Sequence, residues 1–392
     1  MSQALRLVAT CPDETKEALV AELCALGANG IVEGYRAVTF DATPELFAEL
    51  HLKIRTASRI LRVLKVVPAR TPAMLASQAR RIPWPELFDA RHGFLVEALG
   101  ADGANGRLQA REVITKIRES VQDVFERHQG LAPKVDLDEP KIVIVAYLAE
   151  GRCTLCLDTS GKSLHKRGYR ESGHPAPIKE TLAAALLIMA GYDGTQAFLD
   201  PMCGSGTIAI EAALIAMKKA PQLLRKKGGF FFEWHKDFDR ELWRVTQERV
   251  RAEKLEARLA PIAASDINGE YVAMAKKSAL SARVERYMDF GVTRFQDVQP
   301  PAETGVMVTN LPYGERLATG AADLATLYAE LGDALKQKFC GWRAAVLAAE
   351  ASPYKEIGLK PTRKIPIQNG SIPCKLLIFD IYAGSRRAST AG

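Results

Sequence analysis

The amino-acid sequence predicts an α/β chain: an α+β front half followed by a mostly parallel sheet that closes with an antiparallel hairpin. Three observations carry that prediction. After about Thr159, short apolar runs alternate with helical segments, the pattern of parallel strands joined by crossover helices. Four of those runs end in a polar residue: Asp200, Asp266, Asp297 and Asn310. In the first sixty-odd residues, the order strand, helix, hairpin, helix, strand suits a small ferredoxin-like sandwich.

Residues 1–66 form the first expected module. Arg6 to Thr10 reads as a strand. Asp13 can cap a helix that stops at Gly27, with Leu19, Val20, Leu23 and Leu26 at helical spacing. Two short strands flank Gly34, a helix runs from about Pro44 to Ser58, and I-L-R-V-L-K-V-V is a strand. Residues 67–158 form a second module. Its helix, Arg111 to His128, carries Val113, Ile117, Val121 and Val124 on one face and is followed by Gly130. K-I-V-I-V-A-Y-L and R-C-T-L-C-L-D then pair as a hairpin around Glu150 and Gly151. Cys153 and Cys156 make a C-x-x-C in that strand. Residues three apart on a strand point to opposite faces, so no metal site is expected there.

Residues 159–384 form the third unit. A polar, basic stretch leads into P-I-K-E-T-L-A-A-A-L-L-I-M-A-G, a helix ending at Gly191. The strands that follow are A-F-L-D, P-I-A-A-S-D, V-T-R-F-Q-D, V-M-V-T-N and A-A-V-L-A-A-E. Near the end, P-I-Q-N-G-S-I-P-C-K-L-L-I-F-D-I-Y is a hairpin, with Asn369-Gly370 suiting its turn. Residues 385–392 read as a flexible tail.

Composition bounds the function classes. The 392 residues are 47% hydrophobic and 25% charged, ordinary for a soluble globular protein with sizeable cores. No apolar run approaches the roughly 20 residues that span a bilayer. The start, M-S-Q-A-L-R, lacks the regions of a signal peptide, and the seven scattered cysteines suit reduced thiols, so a cytoplasmic protein is expected. The net charge of +7 is modest but clustered. One group is Lys162, Lys166, Arg167 and Arg170; another is Lys218, Lys219, Arg225, Lys226 and Lys227, a stretch with no acid. Such runs are usually solvated surface, and they also suit a groove that tracks phosphates. Lys166, Arg167, Arg170, Arg225, Lys226 and Lys227 are the candidate nucleic-acid contacts. The second run lies close to F-F-F-E-W-H, a mixture that can grip backbone and stack bases, although Phe230 to Phe232 could equally be core.

The strand ends carry the chemistry. A-F-L-D runs into Asp200-Pro-Met-Cys-Gly204-Ser-Gly206-Thr207 and then a helix. The glycines let backbone pass close to a ligand. There is no third glycine at dinucleotide spacing and no P-loop lysine, and Asp200 would repel a pyrophosphate. It would attract a cationic ligand such as an α-amino group or a sulfonium. Asp266 can accept both hydroxyls of a ribose, and Asp297 can accept from an exocyclic amino group. A lone strand-end Asp is commonly a turn former or helix cap. Three in succession, followed by Asn310, are not explained by caps alone.

D-P-M-C-G-S-G-T, S-D-I-N and N-L-P-Y-G-E-R-L resemble the class I S-adenosylmethionine-dependent methyltransferases, in the branch that modifies exocyclic amines through an Asn-Pro-Pro-Tyr type motif. H-K-R-G-Y-R and A-P-I-K-E-T-L-A-A-A-L-L resemble a tighter group, the bacterial ribosomal-RNA guanine-N2 methyltransferases with a THUMP RNA-binding domain in front. The resemblance covers essentially the whole chain and is strongest from Leu164 to Leu214 and from Asn310 to Leu317. It implies a Rossmann-like catalytic domain preceded by ferredoxin-like and THUMP modules. It implies that Asp200, Gly204, Gly206 and Thr207 surround the methionine part of S-adenosyl-L-methionine, with Met202 and Cys203 in the same loop. Asp266, with Ile267 beside it, would hold the ribose, Asp297 the adenine, and Asn310 would border both cofactor and target.

N-L-P-Y has a physical reading of its own. The lone pair of an aromatic amine is delocalised, so the amine must be held while positive charge grows on nitrogen. Two preorganised acceptors do this, the Asn310 side-chain oxygen and the Leu311 carbonyl. Pro312 confines Leu311 to extended conformations, and Tyr313 can stack on an extruded base. The family's usual motif has proline where Leu311 stands. The motif leaves the amine open among guanine N2, adenine N6 and glutamine amides. Guanine N2 of 23S ribosomal RNA, or a large-subunit precursor, is what the resemblance implies. The competing readings are adenine N6 of DNA or RNA, guanine of transfer RNA, and a non-catalytic RNA-binding assembly factor.

Overall fold

The computed structural model describes residues 4–68, 70–99, 109–149, 151–170, 178–225, 229–312 and 321–382. Tyr313, Lys226, Lys227 and the tail from residue 385 therefore lie outside the described residues. The chain divides into two compact units, one of residues 1–11, 23–166 and 227–250, the other of residues 12–22, 167–226 and 251–392.

The first unit is built on one seven-stranded sheet. Its strands are β1 (Leu5–Thr10), β2 (Asn29–Gly34), β3 (Ala37–Ala42), β4 (Arg59–Pro68), β5 (Phe94–Leu99), β6 (Ile142–Ala149) and β7 (Arg152–Asp158), in the order β2-β3-β1-β4-β7-β6-β5. All neighbours are antiparallel except β5 and β6. One sheet serves both front modules. Strand β4 pairs with β7, and the expected boundary after residue 66 falls inside β4. The helix α1 (Lys16–Ala25), whose residues to Glu22 belong to the second unit, follows a 3-10 turn at Asp13–Thr15, where Pro12 is the N-cap and no side chain caps the turn. Asp13 accepts from Lys16 Nζ at 2.8 Å. Helix α2 (Pro44–Lys53) is capped by Thr43, and it stops short of Ser58 because Ile54 turns extended. Then come α3 (Pro72–Ala79), α4 (Trp84–Leu87) and α5 (Ala110–Gln129). The α5 stripe Val113, Ile117, Val121 and Val124 is buried, and Gly130 (φ +65°) ends the helix by donating to Glu126 O. Cys153 packs in the core with Phe94 and Ile117, Cys156 in the opposite one with Leu61 and Val145. Burial pushes the Cys153 thiol up to about 12.

The F-F-F-E-W-H segment also belongs to this unit. Phe230 and Phe232 stack 5.2 Å apart, and both meet His51 and Trp243 edge-on. These two rings are core and cannot stack on RNA bases.

The second unit holds α6 (Glu180–Met189), β8 (Ala197–Asp200), α7 (Thr207–Ala216), β9 (Ile262–Asp266), α9 (Gly269–Ser281), β10 (Asp289–Val292), β11 (Gly305–Asn310), α10 (Ala321–Lys338), β12 (Trp342–Ala349), β13 (Arg363–Asn369) and β14 (Ile372–Asp380); α8 (Arg240–Ala252) bridges the sequence between α7 and β9. The strand order is β10-β9-β8-β11-β12-β14-β13, parallel as far as β12 and antiparallel through β14 and β13. Alternate residues face opposite cores: Phe198, Val308 and Leu347 on one side, Leu199, Met307 and Val346 on the other. The chain runs outward from β8 to β10 and returns to β11 on the far side of β8. That reversal makes the carboxyl ends of β8 and β11 the crevice where an open α/β sheet binds ligands.

Two expectations shift. V-T-R-F-Q-D is not a strand: the edge strand is D-F-G-V, and Phe295–Asp297 is a 3-10 turn. Phe295 turns into the core beside Val298 and Leu311, which breaks the extended path. In the C-terminal hairpin Asn369 pairs with Ile372, so the turn residues are Gly370 and Ser371, with Gly370 at φ +65°.

Candidate active site

Strand β8 is buried along its whole length and delivers Asp200 to its carboxyl end with only 1% of its surface exposed. Its Oδ1 accepts from Thr309 Oγ1 of β11 at 2.9 Å and from the Met202 N–H at 3.4 Å. Burial pushes the Asp200 carboxyl up to about 7, against the Thr309 hydrogen bond and with the charge of Asp266 adding to the rise. A buried acid of this kind ionises readily once a cation arrives beside it.

The loop after β8 is tied to β9 by backbone. Cys203 N–H donates to Ser265 O at 2.8 Å, and Gly204 N–H donates to Asp266 Oδ2 at 2.9 Å. Gly204 and Gly206 both take left-handed φ angles, +52° and +81°. At Gly206 the close approach that demands glycine is to protein. A Cβ there would lie 2.8 Å from Ala275 Cβ on α9, so this glycine sets how α7 starts against α9. Thr207, the first residue of α7, and Cys203 are buried, and burial holds the Cys203 thiol protonated, well above its usual range.

Asp266 ends β9 and organises the next turn. Its Oδ1 accepts from the Asn268 N–H at 2.9 Å, and Asn268 in turn caps α9 by accepting from the Glu270 N–H at 2.8 Å. Each carboxylate oxygen holds one backbone N–H and keeps a lone pair free. Ile267 beside it is 69% exposed, an apolar side chain held out at a strand end. Asp297 is exposed in the 3-10 turn after β10, not at the end of a strand as the sequence suggested.

Strand β11 carries Asn310 beyond Asp200. In register, Met307 pairs with Leu199, which puts Asn310 two residues past the level of Asp200, roughly 7 Å along the strand. Its Oδ1 is buried and has no hydrogen-bond partner among the described residues. Buried amide oxygens are normally paired, so an orphan here marks an acceptor awaiting a donor. Leu311 continues the β11–β12 ladder: its N–H donates to Leu347 O at 3.0 Å, and its side chain is buried with Leu199, Met307 and Tyr328. Pro312 follows as a half-buried loop residue.

The basic candidates divide. Arg167 is a correction: it is wholly buried, pairs with the equally buried Glu211 at 3.4 Å, and cannot meet RNA from there. Tyr169 donates to the same carboxylate oxygen at 3.1 Å. Arg170 is mostly engaged, donating to Ile178 O at 2.6 Å and pairing with Glu180. Lys219 is buried with its ammonium on Ala282 O at 2.6 Å. Lys166 is exposed and Arg225 half-buried. Sequence reasoning missed Thr309 and Asn268 as supporting residues. The signal for Thr309 was a lone hydroxyl ending an otherwise apolar V-M-V run.

The RMKL-like methyltransferase domain family matches residues 167–378, the RlmL ferredoxin-like domain residues 6–61 and the THUMP domain residues 69–158. "Putative RNA methyltransferase slr0064" of Synechocystis is 34% identical over 93% of this chain and 94% of its own length. The ribosomal RNA large subunit methyltransferase K/L of Shewanella woodyi is 36% identical over 98% of this chain. The chain spans only 54% of that relative. Among solved structures, "SMU.472, a putative methyltransferase complexed with SAH" superposes with a TM-score of 0.84 over 99% of this chain and 100% of its own, at 27% identity. The chain therefore belongs to the RMKL-like family of S-adenosylmethionine-dependent RNA methyltransferases.

Proposed function

We propose that the chain methylates the exocyclic N2 of a guanine in 23S ribosomal RNA, in the cytoplasm. The observation that carries the reading is the buried, unpartnered Oδ1 of Asn310 at the end of the central strand, two residues beyond Asp200. The K/L relatives, named for the large ribosomal subunit, support the choice of substrate.

The residues present suit the cofactor. S-adenosyl-L-methionine, when bound, supplies an electrophilic methyl carbon on a cationic sulfonium. Asp200 offers a buried carboxylate to positive charge, Asp266 offers two free lone pairs to vicinal hydroxyls, and Ile267 offers exposed apolar surface to a flat ring. Asp297 would serve an amino group from its 3-10 turn. Asn310 Oδ1 and the Leu311 carbonyl would accept the two N–H bonds of the target amine and orient its lone pair as charge develops on nitrogen. Desolvation makes the Asn310 acceptor stronger, because a buried amide oxygen has no water to surrender.

The test incubates the protein with labelled cofactor and with ribosomal RNA from a strain lacking it, then identifies the methylated nucleoside. N2-methylguanosine in 23S RNA that disappears with Asn310→Ala is expected. N6-methyladenosine would overturn the target, and label in transfer RNA alone would overturn the substrate.

A further inference from the structure

The chain has four tryptophans, and three of them are buried: Trp84, Trp243 and Trp342. Trp234 is 42% exposed. It ends the 3-10 turn Phe231–Trp234, whose neighbours Phe230 and Phe232 anchor the segment in the core of the first unit. Two residues on, the Lys236 N–H donates to Leu87 O at 2.9 Å and its ammonium to Pro85 O at 2.6 Å. The indole is therefore held out by a fastened backbone, not carried on a loose loop.

Two polar side chains flank the ring. Lys141 Nζ stands over the ring, 5.5 Å from the centroid, and the His92 imidazole meets it edge-on at 5.1 Å. Both come from fixed backbone: Lys141 N–H donates to Gly93 O at 3.0 Å, and His92 N–H to Asp89 O at 3.0 Å. Of the acids near it in the chain, Asp89 pairs with Arg91 at 2.9 Å and Asp136 accepts from the amides of Asp138 and Glu139. An exposed indole beside a lysine ammonium and an imidazole matches one ligand chemistry well, a nucleobase with its phosphate. The flat face offers stacking, the Lys141 ammonium offers charge to the backbone, and the imidazole offers a hydrogen-bonding edge.

We infer that Trp234, Lys141 and His92 form a stacking platform for an unpaired nucleotide of the RNA substrate, with the base on the indole and Lys141 at its phosphate. The inference rests on RNA being the substrate, and it adds a contact in the first unit, apart from the methyl-transfer residues. A duplex would not satisfy it, because its bases are already stacked.

Three buried tryptophans make the test direct. The full chain is titrated with a 12-nucleotide single-stranded RNA while indole fluorescence is read, and the affinity is measured separately by anisotropy of labelled RNA. The expected result is quenching by the single strand and none by a duplex of the same sequence. Trp234→Ala should lower affinity about 5- to 150-fold, since stacking contributes about 1–3 kcal/mol per base. Trp234→Phe should keep most of the affinity and lose the quenching. Lys141→Gln should lower the salt slope of binding by about one. Unchanged affinity in a folded Trp234→Ala protein would overturn the platform and give the indole to a protein partner. If the wild-type chain binds neither short RNA yet methylates ribosomal RNA, the platform falls and the RNA reading stands; if it does neither, both fall.

Discussion

Thr309 Oγ1 donates to Asp200 Oδ1 across 2.9 Å, linking the carboxyl ends of β11 and β8 where the strand order reverses. The hydroxyl sits one residue before Asn310, so on the proposed reading one short segment of β11 would both steady the acid for the cofactor and present the acceptor for the target. The bond also opposes the rise that burial imposes on the Asp200 carboxyl, which lies near 7.

If Asp200 meets the cofactor as proposed, cofactor affinity should depend on pH. Asp200 must be ionised to meet a cation, so affinity should rise about tenfold per unit as pH climbs from 5 to 6 and level off above about 7. Stability of the cofactor-free chain moves the other way. The folded-state value is raised above the ordinary 3.8, so its contribution is complete below 3.8 and is lost as pH rises through about 7. Asp158, also buried and raised to about 7, adds a parallel trend in the first unit. Calorimetric titration of S-adenosyl-L-methionine between pH 5 and 8 checks the first statement, and Asp200→Asn should flatten it. Thr309→Val, which removes the opposing bond, should move the midpoint upward.

Asn310→Ala separates catalysis from folding. The amide oxygen has no partner to lose, so melting temperature should stay within a degree or two or rise slightly. Turnover should fall about 10²- to 10³-fold, the range for removing a preorganised acceptor or donor from a reacting centre. Cofactor affinity should change little. A parallel collapse in cofactor binding would make Asn310 a cofactor ligand first.

Arg167 answers to burial, not to RNA. Its guanidinium and the Glu211 carboxylate are both removed from water, so Arg167→Gln leaves an uncompensated charge and should cost about 3–5 kcal/mol. The salt slope of RNA binding should be the same for whatever fraction stays folded. A lowered slope with an unchanged melting temperature would restore Arg167 to the nucleic-acid surface. Arg167→Gln paired with Glu211→Gln should recover much of the loss.

Much of this site is legible in the chain because buried parallel strands are apolar runs, and a polar residue at the end of one stands out. Asp200, Asp266 and Asn310 all announce themselves that way. Asp297 misleads for the same reason: V-T-R-F has stronger strand character than D-F-G-V, yet the latter pairs with β9 and Phe295 turns inward. Arg167 misleads because a run of basic residues says nothing about Glu211, 44 residues later, which waits for it in the core. The single front sheet is hidden too. Its junction is the pairing of Arg59–Pro68 with Arg152–Asp158, and a contact across some ninety residues leaves no local trace.

Leu311 tests the one place where the chain leaves its family's motif. Its N–H donates to Leu347 O at 3.0 Å, a bond that a proline cannot make. Leucine therefore fixes the backbone after Asn310 by pairing it to β12, where the motif's proline would fix it by ring geometry. Leu311→Pro removes that bond and strands the Leu347 carbonyl, which should cost about 1–3 kcal/mol of stability. Leu311→Ala keeps the bond and empties part of the core shared with Leu199 and Tyr328, for about 2–5 kcal/mol. The two variants should part in kinetics. If the hydrogen bond positions the Leu311 carbonyl, proline lowers kcat with KM for RNA nearly unchanged, and alanine spares kcat at temperatures where it remains folded. If proline loses stability but matches the wild-type kcat, ring geometry and hydrogen bond are equivalent ways of aiming the same carbonyl, and Leu311 is a packing residue alone.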